Sequence, residues 1–470
     1  MRFHRYLFVL FYLGTLAGCA DPIRISGPSL KITVPEHWTA IHSPSPSPAT
    51  KVNRDAPANT SADPIPSWVA DFDAPALHTL VTKAIGKNFD LQAVQSRVQV
   101  ARARARVEGA GEMPQFTVGL LTSRRKNGTT GTISNHLEFN MDMNWELDLW
   151  KRLDNSTKAA VAKASAQEAE YCMARLRLAA DVANAWFDAI ESEQQLILTE
   201  KTIASFQNSL DSIEQGYRLG IGSALDVRLA RENLATARSQ REIRARNRDT
   251  ALRSLEILLG RYPAATRNLL HELPELRRAV PVGLPSELLN RRPDIIAAHA
   301  RLLATDHNLA AARANRLPVI RLTASGGAAS RELRDLISPD SLAWDLISAL
   351  TQPLWDGGRR SAQTKIAAAQ RQQAEAEYTV VALRAFREVE SALMSEALLS
   401  RQEIALETAT QEAKAASLLA RDRYRQGLSD IMTLLSTQRR QFQAESSLLS
   451  IRKQRLSTRV SLYLALGGEF

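Results

Sequence analysis

Residues 137–150 read Leu137-Glu138-Phe139-Asn140-Met141-Asp142-Met143-Asn144-Trp145-Glu146-Leu147-Asp148-Leu149-Trp150. Apolar and polar side chains alternate through Leu149 without a slip, the period of an extended strand with one face against an apolar medium and the other in water. A helix would smear the same apolar set around its whole circumference. At about 3.3 Å per residue the stretch is long enough to cross a bilayer as a tilted strand, with Trp145 or Trp150 near an interface. A half-buried strand of a soluble sheet shares this pattern, so the neighbouring sequence matters. Gln115 to Arg124 is a candidate partner, joined through a turn at Asn127-Gly128 and Gly131. Val319 to Ala328 and Leu342 to Leu354 are the third and fourth candidates, the last with a weaker alternation of Leu342, Trp344, Leu346, Leu350 and Leu354.

Around these strands the chain repeats itself. Asn88-Phe89-Asp90-Leu91-Gln92-Ala93 matches Arg292-Pro293-Asp294-Ile295-Ile296-Ala297 at an offset of 204, and Pro114 matches Pro318. Beyond the strands the offset is 207. It pairs Leu147 with Leu354, Arg152 with Arg359, Tyr217-Arg218-Leu219-Gly220 with Tyr424-Arg425-Gln426-Gly427, and Leu259-Gly260 with Leu466-Gly467. Each copy opens on a helix-compatible stretch, about Ala76 to Gly109 and Pro285 to Arg316. After its strands each copy holds a long helical hairpin. Lys151 to Gln215 has neither Gly nor Pro over 65 residues, which as one helix measures about 98 Å. Its apolar residues recur at three and four (Leu176, Ala179, Ala183, Trp186, Ile190, then Phe206, Leu210 and Ile213), the seam of a coiled coil with Ala for close approach. A break at Tyr217 to Gly222 precedes a returning helix, Ser223 to Leu259; the second copy gives Ser361 to Gln426, a break at Gly427, and Leu428 to Leu466. The expected class is mainly α with membrane strands and an internal duplication. Long coiled-coil hairpins form an elongated rod, with a first repeat at 76–260, a connector at 261–284, a second repeat at 285–467 and a tail at 468–470.

Composition excludes other classes. Gly at 21 and Pro at 19 of 470 residues are too few for a collagen-like or low-complexity chain, and 44% hydrophobic residues permit a large core. Sixty Lys and Arg against fifty Asp and Glu give a net charge of +10. The Arg residues lie beside Glu, Asp and Gln at helical spacing rather than in one dense patch, so no nucleic-acid partner is expected. Only Cys19 and Cys172 occur, which implies no disulfide framework. Cys19 has a different meaning. Met1-Arg2-Phe3-His4-Arg5, the apolar Tyr6 to Leu13 and Leu16-Ala17-Gly18-Cys19 form a bacterial lipoprotein signal: 1–18 is a signal peptide and Cys19 the acylated (palmitate-bearing) anchor, in an extended segment spanning 19–75. Ala20 after the Cys leans towards the outer membrane. Beyond the signal no run of 18 apolar residues exists, so any membrane crossing is by strands.

No chemistry-bearing motif stands out. His4, His37, His42, His78, His136, His271, His299 and His307 are scattered, with no HExxH, Cys/His cluster, P-loop, GxGxxG or GxSxG. The expectation is no enzyme, no cofactor and no metal. Four strands cannot close a barrel, because the smallest bacterial barrels use eight and an open edge is forbidden in lipid. Several chains must contribute, and three copies make a 12-stranded barrel. The apolar side of the 137–149 run then faces lipid, while Glu138, Asp142, Glu146 and Asp148 line the lumen and give it a mild cation preference. At the hairpin turns, Arg218, Leu219, Gly220, Ile221 and Gly222, with Arg425, Gly427, Leu428 and Ser429, are candidates for docking onto a partner's helical hairpin.

These residues resemble the outer membrane efflux proteins, the TolC-like channels, in the OprM/NodT-type lipoprotein branch. The resemblance runs from Cys19 to the C-terminus. It rests on Leu16-Ala17-Gly18-Cys19, on Trp68-Val69-Ala70-Asp71-Phe72-Asp73-Ala74-Pro75-Ala76-Leu77, on Trp145-Glu146-Leu147-Asp148-Leu149-Trp150, on Leu284-Pro285-Ser286-Glu287-Leu288-Leu289-Asn290-Arg291-Arg292-Pro293-Asp294, and on Pro353-Leu354-Trp355-Asp356-Gly357-Gly358-Arg359. The likeness implies a homotrimer with a 12-stranded outer-membrane barrel and a periplasmic α-barrel. It also implies docking on a periplasmic adaptor (a membrane fusion protein) coupled to an inner-membrane pump, here expected to be of the resistance-nodulation-division type. In the family the second hairpin tip constricts the lumen; Leu418, Asp422 and Arg425, at i, i+4 and i+7, are the matching gate candidates. Where TolC carries two aspartates after that tip, this chain has Thr433 and Ser436.

The expected function is a passive exit duct for drugs or other small toxic compounds in a tripartite efflux pump of a Gram-negative outer membrane. The duct of a type I protein secretion system shares every feature named so far. A periplasmic coiled-coil adaptor or scaffold lipoprotein would explain helices and anchor, but has no need of seven apolar residues facing one way.

Overall fold

The structure, a computed structural model, describes residues 35, 37–40, 65–266, 272–276, 280, 283 and 285–468. The expected signal peptide and Cys19 lie outside the described residues. After a turn of 3-10 helix at Ser67–Phe72 come α1 (Pro75–Lys87), α2 (Phe89–Ala110), β1 (Gln115–Lys126), β2 (Ile133–Leu147), α3 (Arg152–Arg218) and α4 (Ala224–Leu258). The second half gives α5 (Leu288–Arg291), α6 (Pro293–Ala314), β3 (Val319–Ser330), β4 (Leu342–Thr351), α7 (Arg359–Arg425) and α8 (Ile431–Ala465). Four pairs of corresponding elements match in length: α2 and α6 have 22 residues, β1 and β3 have 12, α3 and α7 have 67, and α4 and α8 have 35.

Several boundaries differ from the expectation. The helix-compatible stretch from Ala76 to Gly109 is two helices parted at Asn88, and the one from Pro285 to Arg316 is parted at Arg292. The first long helix runs past Gly216 to Arg218, because one helical Gly costs only about 1 kcal/mol against the many bonds of a long helix. Strand β2 starts earlier, at Ile133, and stops at Leu147, where the Leu149 N–H bonds back to the Leu147 carbonyl.

By internal contacts the described chain divides into two units, each drawn from both sequence repeats. One unit holds the sheet. Its four strands are antiparallel in the order β1-β2-β3-β4, and the β1–β2 turn closes through Asn127, whose side chain accepts from the Thr129 N–H. The other unit holds α1, α4, α5, α8 and the greater parts of α3 and α7.

Its main core joins Trp68, Phe72, Leu77, Val81, Trp186, Phe187, Ile190, Leu255 and Tyr463. Trp68 stacks on Tyr463 with ring centroids 5.7 Å apart, and Phe72 tilts against Phe187 at 5.4 Å. The Tyr463 hydroxyl donates to Asp71 Oδ2 at 2.8 Å; burial, seconded by that carboxylate, pushes the phenol up to about 12. The seam read from Leu176 to Ile190 is buried as expected, but midway it turns polar. Gln195 and Gln438 are buried in hydrogen-bonded clusters with Ser446 and Ser450, and with Ser205 and Ser209, respectively.

The duplication is a packing device as well as a sequence pattern. Asn88 caps α2 by accepting the Leu91 N–H, and its amide donates to the Leu258 carbonyl at the end of α4. In the second half Arg292 stands in its place and donates to the Ala465 carbonyl at the end of α8 at 3.0 Å. Gly260 and Gly467 follow those helix ends with positive φ. A Cβ on Gly260 would lie 2.5 Å from the Lys87 carbonyl oxygen, and one on Gly467 would lie 3.1 Å from that of Arg291. Glycine is what lets each long hairpin abut the short helix that opens its repeat.

Candidate functional site: channel wall and hairpin tips

Strand register sorts the sheet into two faces. Phe116, Val118 and Leu120 stand directly opposite Met143, Met141 and Phe139, and the same face continues through Ala324 to Leu346, Trp344 and Leu342. Many of these are exposed large apolar residues. The other face carries Glu138, Asn140, Asp142, Asn144 and Glu146 on β2, with Thr117 opposite Asp142 and Arg321 opposite Glu146. Leu121 and Ile347 fall on this second face and weaken the alternation of β1 and β4.

The four acids placed on the polar face have different surroundings. Glu138 meets His136 at 3.1 Å, and Asp142 accepts from the Asn140 amide at 2.7 Å. Glu146 accepts from Arg152 Nε at 3.0 Å and Nη2 at 2.6 Å. Asp148 lies past the strand and accepts the backbone N–H groups of Arg152 and Asp154 at 2.6 and 2.8 Å, capping α3. Thus Glu146 and Asp148 build the strand-to-helix corner. Asp356 does the same for α7, accepting the N–H groups of Gly358 and Arg360. The indole N–H groups of Trp145 and Trp150 are also committed locally, to the carbonyls of Glu112 and Pro318.

The hairpin tips share one construction. In the first, the Ile221 N–H reaches the Gly216 carbonyl and the Gly220 N–H that of Tyr217, with Gly220 at φ +79, the Schellman ending of a helix. In the second, Leu428 reaches Arg423 and Gly427 reaches Tyr424, with Gly427 at φ +74. Ser223 and Asp226 then form a reciprocal capping box that starts α4, while Asp430 starts α8 by accepting the Thr433 N–H. The bonds from Thr433 hold the Asp430 carboxyl below the usual range. Neither cap was read from the sequence, although Ser223-x-x-Asp226 fits the capping-box pattern.

Leu219 and Ile221 are 68% and 83% exposed, and Leu428 is 64% exposed. Leu225 and Met432, absent from the sequence-derived set, extend the same apolar surface. Beneath the tips Phe206, Leu210, Val227, Ile431 and Leu435 form a core that binds both hairpins, with Tyr424 packed on it. Burial raises the Tyr424 phenol, and the Asp226 charge adds to this. Leu418, Asp422 and Arg425 are all exposed, and helical spacing puts them on the side of α7 away from Tyr424. Among the described residues neither Asp422 nor Arg425 forms an ion pair, and no cluster of His, Cys, Asp and Glu is arranged for a metal.

An open four-stranded sheet with one apolar face, in a chain that carries two hairpins of 67- and 35-residue helices, defines a class of outer-membrane channel. The profile of the family described as "Outer membrane efflux protein" matches residues 80–261 and 284–468, and the chain belongs to that family. The toluene efflux pump outer membrane protein TtgF of Pseudomonas putida is 33% identical over 409 residues, covering 86% of this chain and 85% of that protein. Outer membrane protein OprJ of Pseudomonas aeruginosa is 32% identical over 411 residues, with 86% and 85% covered. The outer-membrane channel OprN superposes with a TM-score of 0.83 at 25% identity, covering 94% of this chain and 99% of that one. The fold is TolC-like, and the chain is an outer-membrane channel component of an efflux pump.

Proposed function

We propose that this chain is the passive exit duct of a tripartite pump, closing as a homotrimer and carrying drugs or other small toxic compounds. The open edge of the sheet carries the reading. Within the chain β1 and β4 each pair on one side only, while one sheet face is apolar. Unpaired edges are untenable in hydrocarbon, so β4 of one copy pairs with β1 of the next until three copies close twelve strands. Acylated Cys19 holds the assembly in the outer membrane. The apolar tips at Leu219, Ile221 and Leu428 dock on a periplasmic adaptor, and Leu418, Asp422 and Arg425 ring the closed end. The toluene-pump relative favours small compounds over secreted polypeptide, and the bilayer-ready sheet has no use in a periplasmic scaffold.

The test is assembly together with transport. Outer-membrane fractions should contain detergent-resistant trimers that conduct in planar bilayers, and a deletion strain should lose drug tolerance. A monomeric, non-conducting product that still complements the deletion would sink the reading. Changing Leu219, Ile221 and Leu428 together to Asp should leave trimers and conductance intact, yet return drug tolerance to that of the deletion strain.

Selectivity separates the four acids. E138Q combined with D142N is expected to move the reversal potential in a KCl gradient towards zero. E146Q should change it less and instead destabilise the protein by about 1–3 kcal/mol, because Arg152 loses its charge-assisted partner. Equal effects of the two variants on reversal potential would refute this division.

A further inference from the structure

Helices α3, α7 and α8 frame a cleft of about 540 Å³ whose wall includes the Arg292 junction. Each helix turns its other side to packed residues: Leu456, Val460 and Tyr463 of α8 and Ala179, Val182 and Trp186 of α3 lie in the main core. On α7, Phe386 meets the Trp38 ring, and Glu390 accepts the Thr39 and Ala40 N–H groups. At 100° per residue, Thr458 and Ser461, Arg177, and Arg384 and Ser391 stand on the opposite faces.

Charge makes this cleft distinctive. Arg177, Arg384 and Arg387 line it and are exposed, and among the described residues none of them forms an ion pair. Asp181, one turn along α3 from Arg177, acts on it only at a distance. The two acids in the wall, Asp294 and Glu388, are both taken by buried Arg292, through Nη2 at 2.6 Å and Nη1 at 2.8 Å. Hydroxyls of Ser391, Ser395, Thr458 and Ser461 complete the lining.

We propose that this cleft is a binding site for compounds bearing two or more anionic groups, phosphate, sulfonate or carboxylate, held by Arg177, Arg384 and Arg387. Guanidinium forks from two helices match planar or tetrahedral oxyanions, and the hydroxyls of Ser391, Ser395 and Thr458 donate to the remaining oxygens. The site's role as a station for anionic cargo rests on the duct reading: the α1 and Trp68 layer covers one side of α3 and α8, and only the uncovered side can border a conduit.

Binding is tested apart from transport by titrating the detergent-purified full assembly with inorganic pyrophosphate in a calorimeter at about physiological salt, where long-range attraction is screened. Saturable binding at one site per chain is expected. R384Q/R387Q should weaken it about tenfold or more, and R177Q, on a different helix, by several-fold. R246Q/R401Q removes the same charge from exposed positions outside the cleft and should leave binding unchanged. Non-saturable heats, or equal weakening by the control pair, would overturn the proposal. Unchanged melting of the R177Q protein keeps it falsifiable if the double variant misfolds. If binding holds while conductance is absent, the duct reading fails and the site stands.

Discussion

Replacing Arg292 with Met should destabilise the protein by about 3 kcal/mol, read as a lower melting temperature and faster heat inactivation of the purified assembly. The guanidinium is 2% exposed, and three groups converge on it: the Asp294 carboxylate, Glu388 Oε2 and the Ala465 carbonyl that ends α8. Met fills the volume but donates to none of them. Two acids are then left side by side, and a helix C-terminus loses its only described side-chain donor. Because both acids are partly exposed, water offsets some of the loss, which places the figure at the lower end for a broken buried pair. R292K keeps the charge but not the fork and should fall between. The equivalent change in the first half, N88A, removes one cap and one neutral bond, so about 1–2 kcal/mol is expected. A larger loss for N88A than for R292M would show that charge is not what holds the second junction.

That asymmetry also shows what can be read from a linear chain. The duplication was plain in the sequence, and so was the Asn88 to Arg292 match, but nothing local says that both side chains reach the end of a helix 170 or more residues away. The strand alternation at Leu137 to Leu147 and the seam from Leu176 to Ile190 were legible because side-chain period is a local property of the backbone. The capping role of Asp148 was hidden for the converse reason. It continues the alternation of the strand, yet the strand ends just before it, and its carboxylate caps α3. Likewise Gln195 and Gln438 look like surface residues of their helices and become interior only when α3 and α8 meet. The tips were half legible. Their glycines and apolar residues announce a turn, whereas the joint core under them, with Tyr424 packed between hairpins, depends on tertiary pairing.

The adjacent glycines of β3 should respond oppositely to the same substitution. Gly327 lies on the polar face, in a row where Gly119, Asn140, Gly327 and Ala343 stand directly opposite one another across the four strands. A Cβ at Gly327 would overlap the Phe139 carbonyl oxygen and lie 2.9 Å from the Asn140 Cα. Both are backbone atoms of β2, the central neighbour, so no rotamer change relieves the contact, and the ladder between β2 and β3 must open. Gly326 points to the apolar face, where a Cβ meets nothing closer than the Trp344 Cβ at 3.9 Å. G327V is therefore expected to abolish detergent-resistant trimers, with the chain degraded or aggregated, while G326V assembles normally and adds an apolar side chain where lipid is expected. The β-branched residue has high strand propensity, so on intrinsic preference both variants should gain. Only the close approach of one strand's backbone to the next makes them differ, and normal assembly of G327V would mean that β2 and β3 do not pair in this register in the membrane.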